Sequence, residues 1–326
     1  MRLIRGLYNI PSDFSGCVAT IGNFDGVHLG HQAILQQLKK QGEEHQLPTV
    51  VMMFEPQPRE FFAPDQAPAR LANMSEKLQD LASFGVDYVL CLPFNQKLRS
   101  MSADQFIQTI LLDGLKISHL IVGDDFRFGC DRTGDYQLLQ NAGKQFGFSV
   151  EDTKTFEFEG QRVSSTRVRK CLAANDLTGA GKLLGRSYRM SGRIGYGRQL
   201  GRTIGVPTAN VILQRNKLPM TGVYAVKAIE IEVADCHESE VLDASGQPRA
   251  WQGVANIGVK PTVAGTPEPS LEVHIFDFAN DLYGKRLSIE FCQKIREEKK
   301  FNGLDELKAA IEQDMNVARD FFLSKN

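Results

Sequence analysis

The chain has 326 residues, of which 42% are hydrophobic and 24% are charged, and its formal net charge is −1. This length predicts two domains, and this composition is typical of an ordinary folded protein. The near-zero net charge gives no support for a nucleic-acid partner, and no apolar run reaches the length of a membrane span. The six cysteines are widely scattered, which argues against a zinc site or a disulfide framework and predicts a cytoplasmic protein.

A glycine-rich stretch from Thr20 to His31 is the first candidate binding site. The apolar run Cys17–Ile21 predicts a buried strand, and glycines then break the pattern before a helical periodicity begins near His31. A strand, a tight turn and a helix N-terminus form an anion site, because backbone N–H groups and the helix dipole favour negative charge. His28 and His31 can face the same side of the helix start and donate hydrogen bonds to a phosphate.

Strand-like and helical patterns alternate from residue 14 to about residue 186. They lie at 48–54, 75–84, 86–92, 102–113 and 119–123. This alternation indicates an α/β sheet with right-handed crossovers, in which ligands bind at the carboxyl ends of the strands. The segments 22–31, 55–60 and 123–129 each follow a strand, so we expect them to share that edge of the sheet.

The segment Val163–Arg169 precedes another helical pattern, which runs to about residue 174. Its serines and threonine are residues that cap helix starts, and a capped helix N-terminus again suits a phosphate. A helical pattern at 176–184, followed by Gly185, predicts the end of the first domain.

The character of the chain changes after Tyr188. Glycines are dense through 192–205, and short strand patterns then follow without intervening helices, at 222–233, 251–257, 271–278 and 286–291. This spacing predicts a small antiparallel barrel or sandwich. The acidic patch from Glu230 to Asp243, together with Gly246-Gln-Pro248, is expected in an exposed hairpin tip or insertion. A final helix over 304–322 is expected to pack on the barrel through the stripe Leu304, Leu307, Ile311, Ala318 and Phe322.

Two long motifs resemble one known family. Gly22-Asn-Phe-Asp-Gly-Val-His-Leu-Gly-His31 is similar to the adenylyltransferase module of the bacterial bifunctional riboflavin kinase/FMN adenylyltransferases, also called FAD synthetases. Gly201-Arg-Thr-Ile-Gly-Val-Pro-Thr-Ala-Asn210 resembles their riboflavin kinase signature, and later motifs such as Leu271-Glu-Val-His274 continue the match. The resemblance runs from about residue 14 to residue 322 in the family's order.

The resemblance implies an α/β nucleotidyltransferase domain, Rossmann-like and with a His-x-Gly-His motif, over residues 1–186. It implies a small antiparallel β-barrel riboflavin kinase domain with a C-terminal helix over residues 187–326. The kinase module would phosphorylate riboflavin with ATP to FMN, and the first module would adenylylate FMN with a second ATP to FAD and pyrophosphate. The implied cofactor is Mg²⁺, and the expected partners are riboflavin, FMN and ATP, with no nucleic acid, no membrane, and a monomer or weak homo-oligomer.

In the kinase module, the resemblance implies that Glu272 is the catalytic base near the riboflavin 5′-hydroxyl. A solvated strand carboxylate is the alternative interpretation of Glu272, since it alternates away from the apolar face of its strand. Thr208 and Asn210 offer neutral oxygens that suit Mg²⁺ beside ATP phosphates, or they serve the turn after Pro207. The other implied kinase residues, for ATP, Mg²⁺ and flavin, are Gly201, Arg296 and Phe301, the last two in a flap. A solvated arginine and a core aromatic are the alternatives for Arg296 and Phe301.

In the adenylyltransferase module, the resemblance implies that His28 and His31 donate to phosphate oxygens. FMN phosphate is already an anion, so positioning and charge stabilisation matter more than a strong base. The implied ATP-binding residues are Gly22, Asn23, Phe24, Asp25, Gly30, Ser164, Ser165, Thr166 and Arg169. The implied flavin-binding residues are Asp125, Arg127 and Phe128. A hydrophobic core is the alternative for Phe128, and a capped helix with solvated arginines is the alternative for 164–169.

One position departs from the family, and three other functions stay open. Gln57 stands where many relatives carry histidine, and glutamine can donate a hydrogen bond but cannot be cationic. The alternatives are a nucleotidyltransferase for another small phosphate, a flavin- or nucleotide-binding regulator without catalysis, and an enzyme with one inactive module. The Pro-Thr-Ala-Asn motif argues against the first, and the intact histidines and Glu272 argue against the second.

Overall fold

The computed structural model divides the chain into two compact units. One unit comprises Met1–Pro68 and Lys77–Val163, and the other comprises Ala69–Glu76 and Ser164–Asn326. The expected boundary between residues 186 and 187 divides the chain by sequence motif and stays a prediction. The described residues are 1–123, 125–153, 155–196, 205–234, 237–243, 245–260 and 268–325.

The first unit is built on a sheet in which all neighbouring strands pair in parallel. In chain order the strands are β1 (Arg2–Arg5), β2 (Cys17–Ile21), β3 (Thr49–Glu55), β4 (Tyr88–Pro93), β5 (Ile117–Val122) and β6 (Ser149–Asp152). The predicted α/β sheet is confirmed, and every residue of β2 is buried, as expected for a strand covered on both faces. The edge strands β1 and β6 were not predicted, because their polar sequences carry no apolar run.

Helices connect these strands. They are α1 (Leu29–His45), α2 (Pro58–Phe62), α3 (Met74–Ser83), α4 (Gln96–Arg99), α5 (Ala103–Phe106), which continues as a π-helical segment over Ile107–Gly114, and α6 (Tyr136–Phe146). A small hairpin of β7 (Glu157–Phe158) and β8 (Gln161–Arg162) follows β6. The helix expected near His31 begins two residues earlier, at Leu29, because His28 caps it.

The strand order creates a topological switch between β2 and β5. The order is β1-β4-β3-β2-β5-β6, so β3 lies on one side of β2 and β5 lies on the other. Ligands of open α/β sheets bind in the crevice at such a switch, outside the carboxyl ends of the strands. The segments 22–31, 55–60 and 123–129 leave β2, β3 and β5 at this edge, as the sequence predicted.

The second unit contains antiparallel strands that close a barrel. Because β11 pairs with both β13 and β15, the described strands form the ring β11-β13-β14-β10-β9-β15, and β12 extends β11. The barrel is therefore the correct alternative, and the sandwich is not. The elements are α7 (Ser165–Ala173), α8 (Leu177–Leu184), β9 (Arg189–Gly195), β10 (Ala209–Ile212), β11 (Gly222–Ala234), β12 (His237–Glu240), β13 (Ala250–Lys260), β14 (Glu268–Ile275), β15 (Arg286–Arg296) and α9 (Leu304–Leu323).

The C-terminal helix α9 covers part of the outer face of the barrel. Its residues Ala318 and Phe322 pack in one apolar cluster with Val223 and Val254 of the strands, so the expected packing of this helix is confirmed. Leu304 was wrongly placed in the apolar stripe, since it is 67% exposed. Among the described residues, the members that this helix contributes to the cluster begin at Met315, more than two turns after Leu304. Within the described residues, no helix is long and apolar enough to cross a membrane.

The acidic stretch from Glu230 to Asp243 is an exposed tip only in part. The carboxylate of Glu230 is buried and accepts hydrogen bonds from Arg249 at 3.0 Å and Lys285 at 2.7 Å. The equally buried Glu238 accepts from Arg286 at 2.7 Å. The prediction of exposure was wrong for both glutamates, because a buried carboxylate is tolerated when a cation pairs with it.

Candidate active sites

The turn after β2 is a strained and closely packed backbone segment. Phe24 and Val27 have φ angles of 46° and 40°, in the left-handed region that a β-branched residue such as valine rarely adopts. A Cβ added at Gly30 would lie 3.3 Å from the imidazole of His28, so glycine lets that ring lie against the first turn of α1. Backbone strain of this kind concentrates at functional sites, where the surrounding structure holds it in place.

His28 caps helix α1 with its own ring. The backbone N–H of His31 donates to Nδ1 of His28 over 3.2 Å. Since Nδ1 accepts, the neutral ring carries its proton on Nε2 and can donate from that atom. The His28 residue is 5% exposed, so the donor lies in a largely desolvated turn, where a hydrogen bond to an anion is strong.

The rings of His28 and His31 are stacked. Their centroids are 3.7 Å apart with an interplanar angle of 13°, and the ring of Phe24 lies 4.9 Å from that of His31. Burial lowers the pKa of His31 well below its ordinary value, and the charges of His28 and Lys77 lower it further. Within the described residues, Nδ1 of His31 is buried without a hydrogen-bond partner. Both histidines are thus brought together at the helix start, as the motif predicted.

Lys77 is a buried cation close to His31 that the sequence analysis missed. This residue is 1% exposed, and its charge is one of the causes of the low pKa of His31. Lys77 therefore adds positive charge to the desolvated surroundings of His31. No sequence pattern predicts this position, since Lys77 stands in the polar start of an ordinary amphipathic helix.

The segment after β3 places Gln57 in the interior. Gln57 is 8% exposed and caps helix α2, and its backbone N–H donates to the Glu60 carboxylate over 2.9 Å. Its side-chain Nε2 is buried and has no hydrogen-bond partner among the described residues. A buried amide costs free energy unless an acceptor satisfies it, which points to a ligand oxygen as its partner.

Four phenylalanines form an aromatic cluster at the same edge of the sheet. The ring of Phe94 lies 5.3 Å from Phe61, 5.7 Å from Phe62 and 5.9 Å from Phe54, measured between centroids. Phe62 is 58% exposed, and the Arg99 guanidinium lies 5.4 Å above its ring. Exposed clusters of this kind often mark binding surfaces, and planar aromatic ligands stack on them. No sequence motif predicts this cluster, because its members come from separate segments of the chain.

The predicted flavin segment after β5 has two environments. The Asp125 and Arg127 residues are exposed, and Asp125 lies 3.6 Å from Arg162 across an ion pair. Phe128 is instead 6% exposed and belongs to the hydrophobic core, with its ring 5.2 Å from Phe106. The burial of Phe128 therefore favours a place in the hydrophobic core over a contact with flavin.

The predicted second nucleotide motif begins helix α7 in the second unit. Ser164 caps this helix by accepting a hydrogen bond from the Arg167 N–H over 3.3 Å, as the sequence predicted. Ser165 and Thr166 occupy the first turn. The guanidinium of Arg169 is half-buried, and its Nε donates to the carbonyl oxygen of Ala69 over 2.6 Å. The predicted triphosphate residue is thus held by a backbone carbonyl of its own unit.

The kinase candidates lie in one row across the outer face of the barrel. Glu272 of β14 stands directly opposite Asn210 of β10 on one side and Asn256 of β13 on the other. Directly opposite residues of antiparallel strands point to the same face, so the three side chains lie side by side. No motif predicts a role for Asn256, and only strand register reveals its place beside Glu272.

Two further contacts order this row. The Lys260 ammonium forms a close ion pair with the Glu272 carboxylate, and Nδ1 of His274 lies 2.8 Å from the Pro207 carbonyl oxygen. The second contact fixes the backbone just before Thr208, which precedes β10 by one residue. Thr208 and Asn210 stand two residues apart, a spacing that keeps side chains on one face of an extended chain. Gly201 lies outside the described residues.

Arg296 and Phe301 lie near the start of helix α9. The Arg296 guanidinium makes a bidentate pair with buried Asp314, at 2.8 Å and 2.7 Å, and lies 5.4 Å above the Phe301 ring. In the following turn, Glu298 accepts a hydrogen bond from Asn256 over 3.3 Å, and a Cβ at Gly258 would overlap its carboxylate. The segment after β15 therefore folds back onto the row that contains Glu272.

Comparisons with known proteins cover both groups of residues. A family model described as FAD synthetase matches residues 10–167, and one described as riboflavin kinase matches residues 184–322. The bifunctional riboflavin kinase/FMN adenylyltransferase of Pseudomonas fluorescens is 53% identical over 319 residues, which are 98% of this chain and 97% of its own. The protein of the same name from Escherichia coli K12 is 50% identical over 323 residues, which are 99% of this chain and 98% of its own.

A solved structure has a similar fold over the whole length. The crystal structure of a macrolide-efflux protein from Streptococcus pneumoniae is 29% identical, with a TM-score of 0.76, and the match covers 98% of this chain and 99% of that one. The FAD synthetase match contains His28 and His31, the riboflavin kinase match contains Asn210 and Glu272, and their order is the predicted one. The chain therefore belongs to the family of bifunctional riboflavin kinase/FMN adenylyltransferases.

Proposed function

We propose that this chain makes FAD from riboflavin in two ATP-dependent steps, each with its own set of residues. The barrel phosphorylates riboflavin to FMN, and the parallel-sheet unit adenylylates FMN to FAD. The observation that carries the proposal is the presence, in one chain, of a stacked histidine pair at a topological switch and of Glu272 beside two asparagines on a barrel face. The first arrangement suits adenylyl transfer, and the second suits phosphorylation of riboflavin.

In the kinase step, the 5′-hydroxyl oxygen of riboflavin attacks the γ-phosphorus of ATP. A new O–P bond forms, the bond from the γ-phosphorus to the bridging oxygen breaks, and ADP leaves. Glu272 accepts the hydroxyl proton, and Lys260 holds this carboxylate in place through their ion pair. Asn256 and Asn210 flank the carboxylate and orient the groups that approach it.

The donor set beside Glu272 fits a magnesium ion. The Thr208 hydroxyl and the Asn210 amide oxygen are hard, neutral oxygens, which Mg²⁺ accepts together with phosphate oxygens and water. A bound Mg²⁺ would neutralise charge on the ATP phosphates. The residues that would hold this Mg²⁺ are Thr208 and Asn210. Arg296 and Phe301 lie in the segment that folds back toward the row and belong to the proposed ATP and flavin site.

In the adenylyl transfer, a phosphate oxygen of FMN attacks the α-phosphorus of ATP. A phosphoanhydride bond forms, the α–β bond breaks, and pyrophosphate leaves. His28 donates from Nε2 to a phosphate oxygen, and buried Lys77 supplies positive charge near His31. Gly22, Asn23, Phe24, Asp25 and Gly30 shape this site, and Ser164, Ser165, Thr166 and Arg169 bind the ATP of this reaction.

We assign the flavin of this second reaction to the aromatic cluster and the segment after β5. The rings around Phe94 can stack with an isoalloxazine, and Asp125 and Arg127 are exposed in the segment that follows β5. The near-neutral charge of the chain further supports small-molecule partners rather than nucleic acid or membrane. A cytoplasmic location and a monomer or weak homo-oligomer complete the proposal.

The test is an incubation of the purified protein with riboflavin, ATP and Mg²⁺, with the flavins separated by chromatography over time. We expect FMN to appear first and then to convert to FAD. FMN without FAD would contradict the assignment of the first unit and direct attention to Gln57. Neither product from a protein that binds flavin would overturn the proposal in favour of a regulator.

A further inference from the structure

A buried arginine in the kinase half of the sequence holds the stretch 69–76. The Arg215 side chain is fully buried, and its Nη2 pairs closely with the carboxylate of Glu76. Its Nη1 donates to the carbonyl oxygens of Arg70 over 2.9 Å and Leu71 over 2.8 Å. One guanidinium therefore holds the stretch 69–76 at three residues, Arg70, Leu71 and Glu76, all within the second unit.

Neighbouring groups hold this arrangement in place. The Tyr188 hydroxyl donates to the Leu71 carbonyl over 3.1 Å and accepts from Arg215 Nη1 over 3.0 Å. The backbone N–H of Asn73 donates to Glu76 over 2.7 Å, and the Asn73 side chain donates to the Ser191 carbonyl over 3.3 Å. A buried ion pair with this many hydrogen bonds favours one conformation, because a partly satisfied alternative would leave charge unpaired in the interior.

The same stretch also holds the arginine expected to bind the triphosphate. Nε of Arg169 donates over 2.6 Å to the carbonyl oxygen of Ala69, which is adjacent in sequence to Arg70. With Nε engaged, the direction of the Arg169 fork is set by the position of that carbonyl. The position of the Ala69 carbonyl depends on the backbone at Arg70 and Leu71, because these residues follow it directly. Arg215 holds that backbone through its hydrogen bonds to both carbonyl oxygens.

We propose that Arg215 is a positioning residue for adenylyl transfer, acting through the 69–71 backbone on Arg169. Arg215 lies in the part of the chain that matches riboflavin kinase, yet its contacts lead to the second nucleotide motif rather than to the row around Glu272. The inference rests on the proposed role of Arg169 in ATP binding. It identifies a residue that the motifs do not single out, because its effect passes through backbone carbonyls.

The first test variant is Arg215→Lys, assayed in both reactions with the full chain. Lysine keeps the charge that Glu76 needs but lacks the fork that reaches two carbonyls. We expect the KM for ATP in FMN adenylylation to rise on the order of tenfold. We expect the KM and kcat of riboflavin phosphorylation to stay within about twofold of the parent, since the hydrogen bonds described for Arg215 go to Arg70, Leu71, Glu76 and Tyr188 and not to the kinase row.

Two further variants separate positioning from folding. Tyr188→Phe removes only the hydroxyl that contacts Leu71 and Arg215, so it should shift the same KM in the same direction by less. Arg249→Met removes a cation paired with buried Glu230, elsewhere on the barrel, and should leave the adenylyl KM unchanged. The kinase activity of each preparation reports whether the second unit is folded.

The outcomes distinguish this inference from the proposal on which it rests. If Arg169→Ala does not affect adenylyl transfer, the role of Arg169 itself is contradicted. If Arg169→Ala raises the KM for ATP but neither Arg215→Lys nor Tyr188→Phe does, the positioning role of Arg215 is overturned. Equal losses in both reactions for Arg215→Lys and Tyr188→Phe would also overturn it, because they indicate a general structural role. Adding Arg215→Lys to Arg169→Ala should cause no further rise.

Discussion

Asn210 and Glu272 face each other directly across the antiparallel pair of β10 and β14. The register of β13 then places Asn256 on the other side of Glu272, so a carboxylate lies between two amides on one face of the barrel. The neighbouring rows that point inward hold apolar residues such as Ala255 and Val273, which are fully buried. The polar row is therefore a feature of the outer face alone, where substrates can reach it.

Replacing Glu272 with glutamine should abolish FMN formation while FAD formation from supplied FMN continues. Glutamine keeps the shape but cannot accept the hydroxyl proton, and removal of a general base typically lowers kcat by about 10²–10⁴-fold. The measurement is the initial rate of each reaction with the same preparation. Loss of both activities in a folded protein would contradict the assignment of separate sites.

Asn256→Ala should lower riboflavin phosphorylation by on the order of tenfold and leave adenylyl transfer unchanged. The amide stands next to Glu272 and donates a hydrogen bond to Glu298, so its loss removes a polar neighbour of the proposed base and frees the Glu298 carboxylate to move. Gln252→Ala, on the exposed part of the same strand, is the matched control and should have no effect on either rate. Equal rates for Asn256→Ala and the parent would remove Asn256 from the site.

The order of strands and helices could be predicted because apolar runs and glycine turns mark them locally. The parallel sheet, the turn after β2 and the capped start of α7 all follow from such local patterns. The errors lie where a distant partner decides the outcome. Glu230 and Glu238 looked like an exposed acidic tip, yet cations from other strands pair with both of them in the interior.

In the candidate sites, too, local features could be predicted from the sequence and contacts between distant segments could not. His28 and His31 are neighbours in sequence, so their convergence at one helix start could be predicted from spacing. Asn256 and Lys77 could not, because strand register places the first beside Glu272 and tertiary packing buries the second near His31. Sequence spacing carries no information about such contacts unless the register is already known.

His28→Ala should abolish FAD formation from FMN and leave riboflavin phosphorylation intact. The variant removes the Nε2 donor and also the acceptor that caps α1, so the rate should fall by about 10²–10³-fold, as for loss of one oxyanion donor. His28→Asn is the informative companion, since asparagine also caps helices well and restores the start of α1 without the imidazole. Full activity in His28→Asn would show that capping, rather than donation to phosphate, is the role of His28.

Lys77→Met should weaken adenylyl transfer and spare phosphorylation of riboflavin. Methionine fills a similar volume without the charge, so the packing of α3 is retained while the cation near His31 is lost. We expect kcat/KM for ATP in the FMN reaction to fall by on the order of a hundredfold, the scale of one lost charge contact in a desolvated site. Lys40→Met, at an exposed position on helix α1, is the matched control and should match the parent in both reactions. Unchanged FAD formation in Lys77→Met would show that the buried ammonium serves the fold alone.

The burial of neutral His31 should make the stability of the protein depend on pH. Its pKa is lowered in the folded state, so below about pH 6.5 the unfolded chain binds a proton that the folded chain does not. The contribution of neutral His31 to the free energy of unfolding is therefore fully present above pH 6.5. It is lost as the pH falls from 6.5 toward the pKa of His31 in the folded state. The slope is up to about 1.4 kcal/mol per pH unit for one group.

His31→Phe isolates this contribution, since phenylalanine keeps an aromatic ring beside Phe24 and removes the titrating nitrogen. Chemical unfolding at several pH values between 5 and 7 should show a shallower loss of unfolding free energy in the variant than in the parent. His119, whose pKa burial also lowers, retains its own contribution in both proteins, so the difference between the two curves reports His31 alone. Parallel curves would mean that the folded protein takes up the proton at His31, and the neutral state of His31 would have to be abandoned.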